Sequence, residues 1–319
     1  MTRRTLTAST FLALLLACLP VVPVGSHARA QSSTVRIPLI ITNESENAID
    51  DLKQEEIKVF EDGKELPLIS LKKVATPTKY TIAIDRSGSF KTILPDALNA
   101  ASFLIDQNRP EDMTAVVTFV GRDQVNLVQD FTSDKAVLLK SLRQTRVELG
   151  QTVVIDAIYV TLEALSKSTS DNQTRKVLVL ISDGEDRNSV YTPEDLSRLL
   201  RRTNVQVFVI GIVRHLDDVA GFVRKSPLQK AQKLLTDVAQ HSGGRVFFAK
   251  KPEEIEKAAD EIAANLRWQL VIEVVPIRQK PGFNNVDVKL SKDARKLKLV
   301  GRSGYWIEDE KPTKSKEKS

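Results

Sequence analysis

The sequence predicts an α/β fold: a doubly wound, mostly parallel six-stranded sheet, flanked by a small β-module built from N- and C-terminal strands. Three observations predict it. Short β-branched apolar runs at residues 80–84, 176–181 and 205–212 alternate with amphipathic helical stretches, the pattern of a parallel sheet covered on both faces. Strand-like segments recur on either side of that alternation. Two carboxylates, Asp85 and Asp183, stand where central runs end, the place where open α/β sheets bind ligands.

The elements follow in order. Residues 35–40 and 57–60 alternate as strands, and Glu61-Asp62-Gly63-Lys64 before Leu66-Pro67-Leu68 reads as a hairpin turn. This 34–76 stretch is too short for an independent β-domain. Strand 80–84 leads into a helix over 95–106, with Pro95 suited to a first helical position. Strands at 115–120 and 125–128 precede helices at 134–144 and 154–165. Strand 176–181, helix 193–202 and strand 205–212 follow. The helix over 229–241 stops at Gly243-Gly244, and strand 245–249 with helix 252–266 closes the alternation. Strands then return at 269–275, 286–290 and 297–300. The expected division is 1–30 export signal, 34–76 N-terminal strands, 79–265 α/β domain, 266–308 C-terminal strands packing with 34–76, and 309–319 a disordered tail without apolar residues.

Composition narrows the function. Hydrophobic residues at 41% and charged residues at 28% are ordinary for a globular chain. Arg3-Arg4, the apolar stretch 11–24 and Ala28-Arg29-Ala30 read as a signal peptide cleaved near Ala30, giving a periplasmic or secreted product. That stretch, broken by Pro20 and Pro23, falls short of the ~20 residues of a membrane span. Two variants remain open: a lipoprotein box at Leu15-Leu16-Ala17-Cys18, and a weak twin-arginine pattern at Thr2-Arg3-Arg4. Removing Arg3, Arg4 and Arg29 lowers the net charge from +6 to +3, and the remaining cations are dispersed among acids, which argues against nucleic acid as a partner. Cys18 is the single cysteine, so cleavage after Ala30 leaves no disulfide, thiolate or zinc–cysteine chemistry. Only His215 and His241 remain in the mature chain.

Three fragments carry the chemistry: Asp85-Arg86-Ser87-Gly88-Ser89 after a strand, Gly150-Gln151-Thr152 before a helix, and Ser182-Asp183-Gly184 after a strand. Asp85, Ser87, Ser89, Thr152 and Asp183 give two carboxylates and three hydroxyls, a hard oxygen set suited to Mg²⁺, Mn²⁺ or Ca²⁺. The Asp-x-Ser-x-Ser spacing lets alternate side chains converge, with Gly88 expected to permit the tight turn. A cation with few charged ligands stays electrophilic and can take an outside carboxylate. Glu185 and Asp186 read as a solvated loop, or as charges that tune metal choice or repel acidic partners.

These residues resemble the metal-ion-dependent adhesion site of von Willebrand factor type A domains, over residues 79–265. The resemblance implies a Rossmann-like fold. It makes Ser87 and Ser89 direct metal ligands and Thr152 a direct or water-bridged one, with Asp85 and Asp183 acting largely through water. Gln151 departs from the family, which often has a second glycine there. Val59-Phe60-Glu61-Asp62-Gly63-Lys64 and Gly301-Arg302-Ser303-Gly304-Tyr305 are similar to the exported VWFA-related Acidobacterial domain family.

The expected function is therefore an exported, non-enzymatic adhesion or protein-binding module. Its bound divalent cation, Mg²⁺ first, coordinates an Asp or Glu carboxylate of a partner. The alternatives are an envelope scaffold with a vestigial metal site and a metal-dependent phosphohydrolase using Asp85 as nucleophile. The chain has no G-x-S-x-G elbow, Walker loop or G-x-G-x-x-G motif. The resemblance also implies that the loop over 214–228 and the loops around the metal set partner choice, with Val219, Phe222 and Val223 either an exposed apolar contact or packed down on the sheet.

Overall fold

The structure, a computed structural model, describes residues 34–45, 47–121, 124–169, 174–214, 216, 226–277, 280–291, 296–302 and 304–307. The proposed export signal with Cys18, His215, Val219, Phe222 and Val223 of the 214–228 loop, and the C-terminal tail lie outside them.

The central sheet has the strand order β10-β9-β8-β5-β6-β7, comprising β5 (Thr78–Asp85), β6 (Met113–Phe119), β7 (Val125–Thr132), β8 (Arg175–Ser182), β9 (Val205–Ile212) and β10 (Val246–Ala249). All pairings are parallel except β6–β7, which makes the sheet mixed at one edge. The helices are α1 (Leu94–Asp106), α2 (Lys135–Arg143), α3 (Val154–Lys167), α4 (Pro193–Arg202), α5 (Pro227–Ser242) and α6 (Pro252–Arg267).

The continuous apolar runs follow from this layering, because successive strand residues feed opposite faces. Ile82, Ile84, Val177, Val179, Phe208 and Ile210 pack on one side with residues of α1 and α6. Ala83, Leu178, Leu180, Val207 and Val209 pack on the other with α3, α4 and α5. Local chemistry sets the helix ends. Asp134 accepts from Ala136 N and Val137 N, so it caps α2 instead of beginning it. Thr192 and Ser226 form capping boxes with Asp195 and Gln229.

The flanking strands are β1 (Val35–Thr42), β2 (Ile57–Glu61), β3 (Lys64–Leu66) and β4 (Leu68–Val74) before the central sheet, with β11 (Gln269–Val274), β12 (Gly282–Leu290), β13 (Lys298–Gly301) and β14 (Gly304–Ile307) after it. They form two antiparallel sheets, β13-β1-β11-β4 and β14-β12-β2-β3. Each sheet contributes to one shared core, including Ile37, Leu39, Ile272, Val59, Val286 and Tyr305. The β2–β3 turn has Asp62 at φ 49 and Gly63 at φ 79, the double left-handed geometry that makes Asp-Gly a hairpin signal. The run through Leu66-Pro67-Leu68 is not one strand. The chain changes sheets at Pro67, which has no N–H to give to a ladder.

β1 also faces the α/β core. Ile37, Leu39 and Ile41 fill the sandwich, whereas Ile40 packs among the residues beneath α1 and α6. Arg302, between β13 and β14, donates to Leu200 O (3.0 Å), Arg201 O (2.7 Å) and Asn204 Oδ1 (2.9 Å) at the end of α4.

Candidate functional site

β5 and β8 are adjacent and parallel, with Ile84 opposite Ile181, so Asp85 and Asp183 leave the sheet side by side. Both are fully buried. Asp85 Oδ1 accepts from Ser87 N at 2.9 Å, which turns the chain back, and its other oxygen accepts from Ser182 Oγ at 3.0 Å. A single 3₁₀ turn follows, anchored by the buried Phe90 and Ile93. It brings Ser87 Oγ within 3.0 Å of Ser89 Oγ, and Ser89 Oγ donates to Asp183 Oδ2 at 2.9 Å. Asp183 Oδ1 accepts from Glu185 N at 2.8 Å. Four of the five sequence-identified residues thus form one hydrogen-bonded chain across two strand ends, and half-buried Ser89 is its opening to the surface.

Thr152 is buried at the start of α3, and no side-chain hydrogen bond links it to the other four. Its loop is nonetheless fastened to both strand-end loops. Glu148 N donates to Arg86 O at 2.9 Å, and Arg187 N donates to Thr152 O at 3.0 Å. Glu148 adds an ion pair with Arg86 and accepts from Gln124 Nε2 at 2.7 Å.

Burial, reinforced by the charge of Asp183, pushes the Asp85 carboxyl up to about 7; the Ser87 and Ser182 donors oppose this. Two buried acids beside three hydroxyls suit a hard divalent cation, which would offset their repulsion. Among the described residues there is no cluster of three or more His, Cys, Asp or Glu, so a cation here would rest on Ser87, Ser89 and Thr152 as much as on the two acids.

The glycine expectation needs correction. Gly88 has no positive φ, and a Cβ there would meet only Leu149 Cδ2 at 3.5 Å, an ordinary contact. Gly184 is the constrained one: its φ is +75 and a Cβ would lie 2.7 Å from Leu235 Cδ1. Gly184→Ala is therefore expected to cost about 1–3 kcal/mol in urea unfolding, against roughly 0.5 kcal/mol or less for Gly88→Ala. Equal costs would contradict this assignment.

Glu185 and Asp186 each have partners within the site loops. Glu185 pairs with Arg187 at 2.8 Å. Asp186 accepts from Ile155 N at 3.1 Å and from Ser189 Oγ at 2.6 Å, holding the start of α3. Sequence reasoning missed Ser182, Glu148 and the buried Asp156, which accepts from Val190 N and Tyr191 N at 2.9 Å. A serine closing an otherwise apolar strand was the one available signal for Ser182. His241 sits 3.3 Å from Ser197 Oγ, a contact between α5 and α4.

An open α/β sheet with carboxylates and hydroxyls gathered at its carboxyl ends is the architecture of the doubly wound class, in which ligands bind at that edge. Residues 81–261 match the von Willebrand factor type A domain. The chain belongs to that family, whose members are generally non-enzymatic interaction modules that bind divalent cations at a site of this kind. No curated protein matches in sequence. Similar solved structures include BatB from Bacteroides thetaiotaomicron (18% identity, 59% of this chain and 98% of that one, TM-score 0.44). Another is a von Willebrand factor type A protein from Catenulispora acidiphila (14% identity, 88% and 76%, TM-score 0.47). A third is proximal thread matrix protein 1 from the mussel byssus with a zinc-occupied MIDAS motif (21% identity, 63% and 49%, TM-score 0.46).

Proposed function

We propose that this chain is an exported protein-binding or adhesion module whose Asp85, Ser87, Ser89, Thr152 and Asp183 hold a divalent cation, Mg²⁺ first. The cation would supply an open coordination position for an Asp or Glu carboxylate of a partner protein. The observation that carries this reading is the continuous Asp85–Ser87–Ser89–Asp183 arrangement at two adjacent strand ends. Its hydroxyls turn lone pairs toward a cation as readily as protons toward each other. The two acids anchor them: Asp85 fixes the turn through Ser87 N, and Asp183 fixes Ser89. Export to the periplasm or beyond rests on the N-terminal pattern, and kinship with the VWFA-related Acidobacterial proteins rests on the segments framing the domain.

The test is affinity capture from envelope extract with Mg²⁺ or with EDTA, using the native chain and the Ser87→Ala and Asp183→Ala variants. Captured protein is expected to elute in EDTA and to be lost in both variants. Capture that persists unchanged in EDTA would move binding off the metal and onto the β-sandwich. Turnover of an aryl phosphate that disappears in Asp85→Asn would replace this reading with a hydrolytic one.

A further inference from the structure

A cavity of about 930 Å³ opens where the β-sandwich meets the α/β domain. β1, β11 and β14 form one wall, and the starts of β8 and β9 with the final turns of α3 and α4 form the other. Its size falls within the ~300–1,000 Å³ of small-molecule sites. Among the described residues the lining carries six basic side chains, Arg36, Lys167, Arg175, Lys176, Arg202 and Arg302, against one acid, Glu163. That acid is already paired with Lys167 at 2.9 Å.

Two of the cations are buried without an acid among the described residues. Arg175 and Arg302 are each 7% exposed. Arg175 donates only to neutral groups, Gln206 Oε1 at 2.7 Å and Asn265 O at 2.6 Å. Arg302 likewise holds Asn204 and two carbonyls of α4. Asp112, the acid that acts on Arg175 from a distance, is held by Arg109 at 2.8 Å. The carbonyls that Arg175 and Arg302 meet belong to the last turns of α6 and α4, and a helix end offsets only about half a unit of charge. Among the described residues, about one positive charge between the two guanidiniums is left without compensation. Burial accordingly pushes Arg175 down to about 9 and Arg302 down to about 10. Arg175 Nη2, Arg302 Nε, Thr203 Oγ1 and Gln269 Oε1 all lack a hydrogen-bond partner, an unusual concentration for groups that are nearly always satisfied.

We infer that this cavity is a binding site for a small multivalent oxyanion, a phosphate ester or a polycarboxylate. The buried guanidiniums are covered, so they supply the positive field. The exposed Arg36, Lys167 and Arg202 on the rim supply direct donors to the ligand oxygens. The site is separate from the crevice at Asp85 and Asp183. β8 runs from Arg175 at the cavity to Ser182 beside Asp183, roughly 23 Å along the strand. A ligand here bridges the sandwich and the α/β domain, through Arg36 on one and Arg202 on the other.

The experiment is calorimetric titration of the full chain with inorganic pyrophosphate and with citrate, in EDTA at fixed ionic strength. Saturable binding of one equivalent of either probe is expected, retained in Ser87→Ala and weakened at least tenfold in the double variant Arg36→Glu, Arg202→Glu. Preference for pyrophosphate assigns a phosphate ester, and preference for citrate a polycarboxylate. Arg175→Gln should abolish binding, but it removes a buried strut. The rim variant, checked for native circular dichroism and Tm, therefore decides the matter. Absence of saturable binding for both probes, or equal affinity in the rim variant, overturns the assignment.

Discussion

In EDTA at pH 8, Asp85→Asn is expected to unfold at a higher temperature than the native chain, although it removes an acid from the proposed metal site. The native carboxyl is fully buried beside Asp183, and its pKa is pushed from 3.8 up to about 7, first by burial and then by that neighbouring charge. A folded pKa above the unfolded one means the ionised form is disfavoured in the fold. The penalty is complete above about pH 7 and gone below about pH 4. Three units correspond to an upper limit on the order of 4 kcal/mol. Asparagine keeps an oxygen for Ser87 N and faces Ser182 Oγ, which already accepts from Gly184 N at 3.0 Å and has a second lone pair to offer. The metal-free native chain should therefore gain stability as pH falls from about 7 to about 4, and the variant should lack that slope. Saturating Mg²⁺ should raise the Tm of the native chain and leave the variant unmoved. Thermal melts across this range, with and without Mg²⁺, measure both effects. A variant less stable than the native chain at pH 8 in EDTA would show that the Asp85 charge is already compensated.

What could be read from the sequence divides along a physical line. β5, β8 and β9 were legible because most of their residues fill one of two cores, so the apolar pattern is written locally. The first site fragment was legible because Asp85, Ser87 and Ser89 lie within one turn. The groups that were missed act across long separations. Ser182 reaches Asp85 from 97 positions away, and Arg302 reaches Leu200 O from 102. Neither has a local pattern that names its partner, since a serine closing an apolar strand and an arginine in a turn do not tell which distant residue they reach. The same holds for Asp186, whose charge was visible but whose task, capping α3 across the site, depends on the fold. The sheet change at Pro67 was hidden for a related reason: alternation shows that a strand exists, not which neighbour it joins.

Ending the chain at Arg267 is expected to unfold the N-terminal strands along with the deleted ones. β11 lies between β1 and β4, and β12 lies between β14 and β2. The truncation therefore removes an interior strand from each flanking sheet. β1 and β4 are left without a ladder partner, and β2–β3 is left as an isolated hairpin, which is marginal in water. The shared core loses Leu270, Ile272, Val274, Val286 and Tyr305, leaving Ile37, Leu39, Ile57 and Val59 facing solvent. At about 1.5–3 kcal/mol per buried aliphatic or aromatic side chain, the lost burial exceeds what a small β-module has in reserve. The α/β domain should persist, because its two cores are built almost wholly from residues between Tyr80 and Leu266. It should be weakened where Ile40 and Arg302 brace it, at the core beneath α1 and α6 and at the end of α4. Hydrogen exchange of the truncated chain should show residues 35–74 unprotected, with β5, β8 and β9 still protected. Retained protection in 35–74 would mean that the two flanks fold independently. Loss of protection throughout would mean that the α/β domain depends on the sandwich for its own stability, and the Arg302→Ala variant of the full chain separates that support from the missing strands.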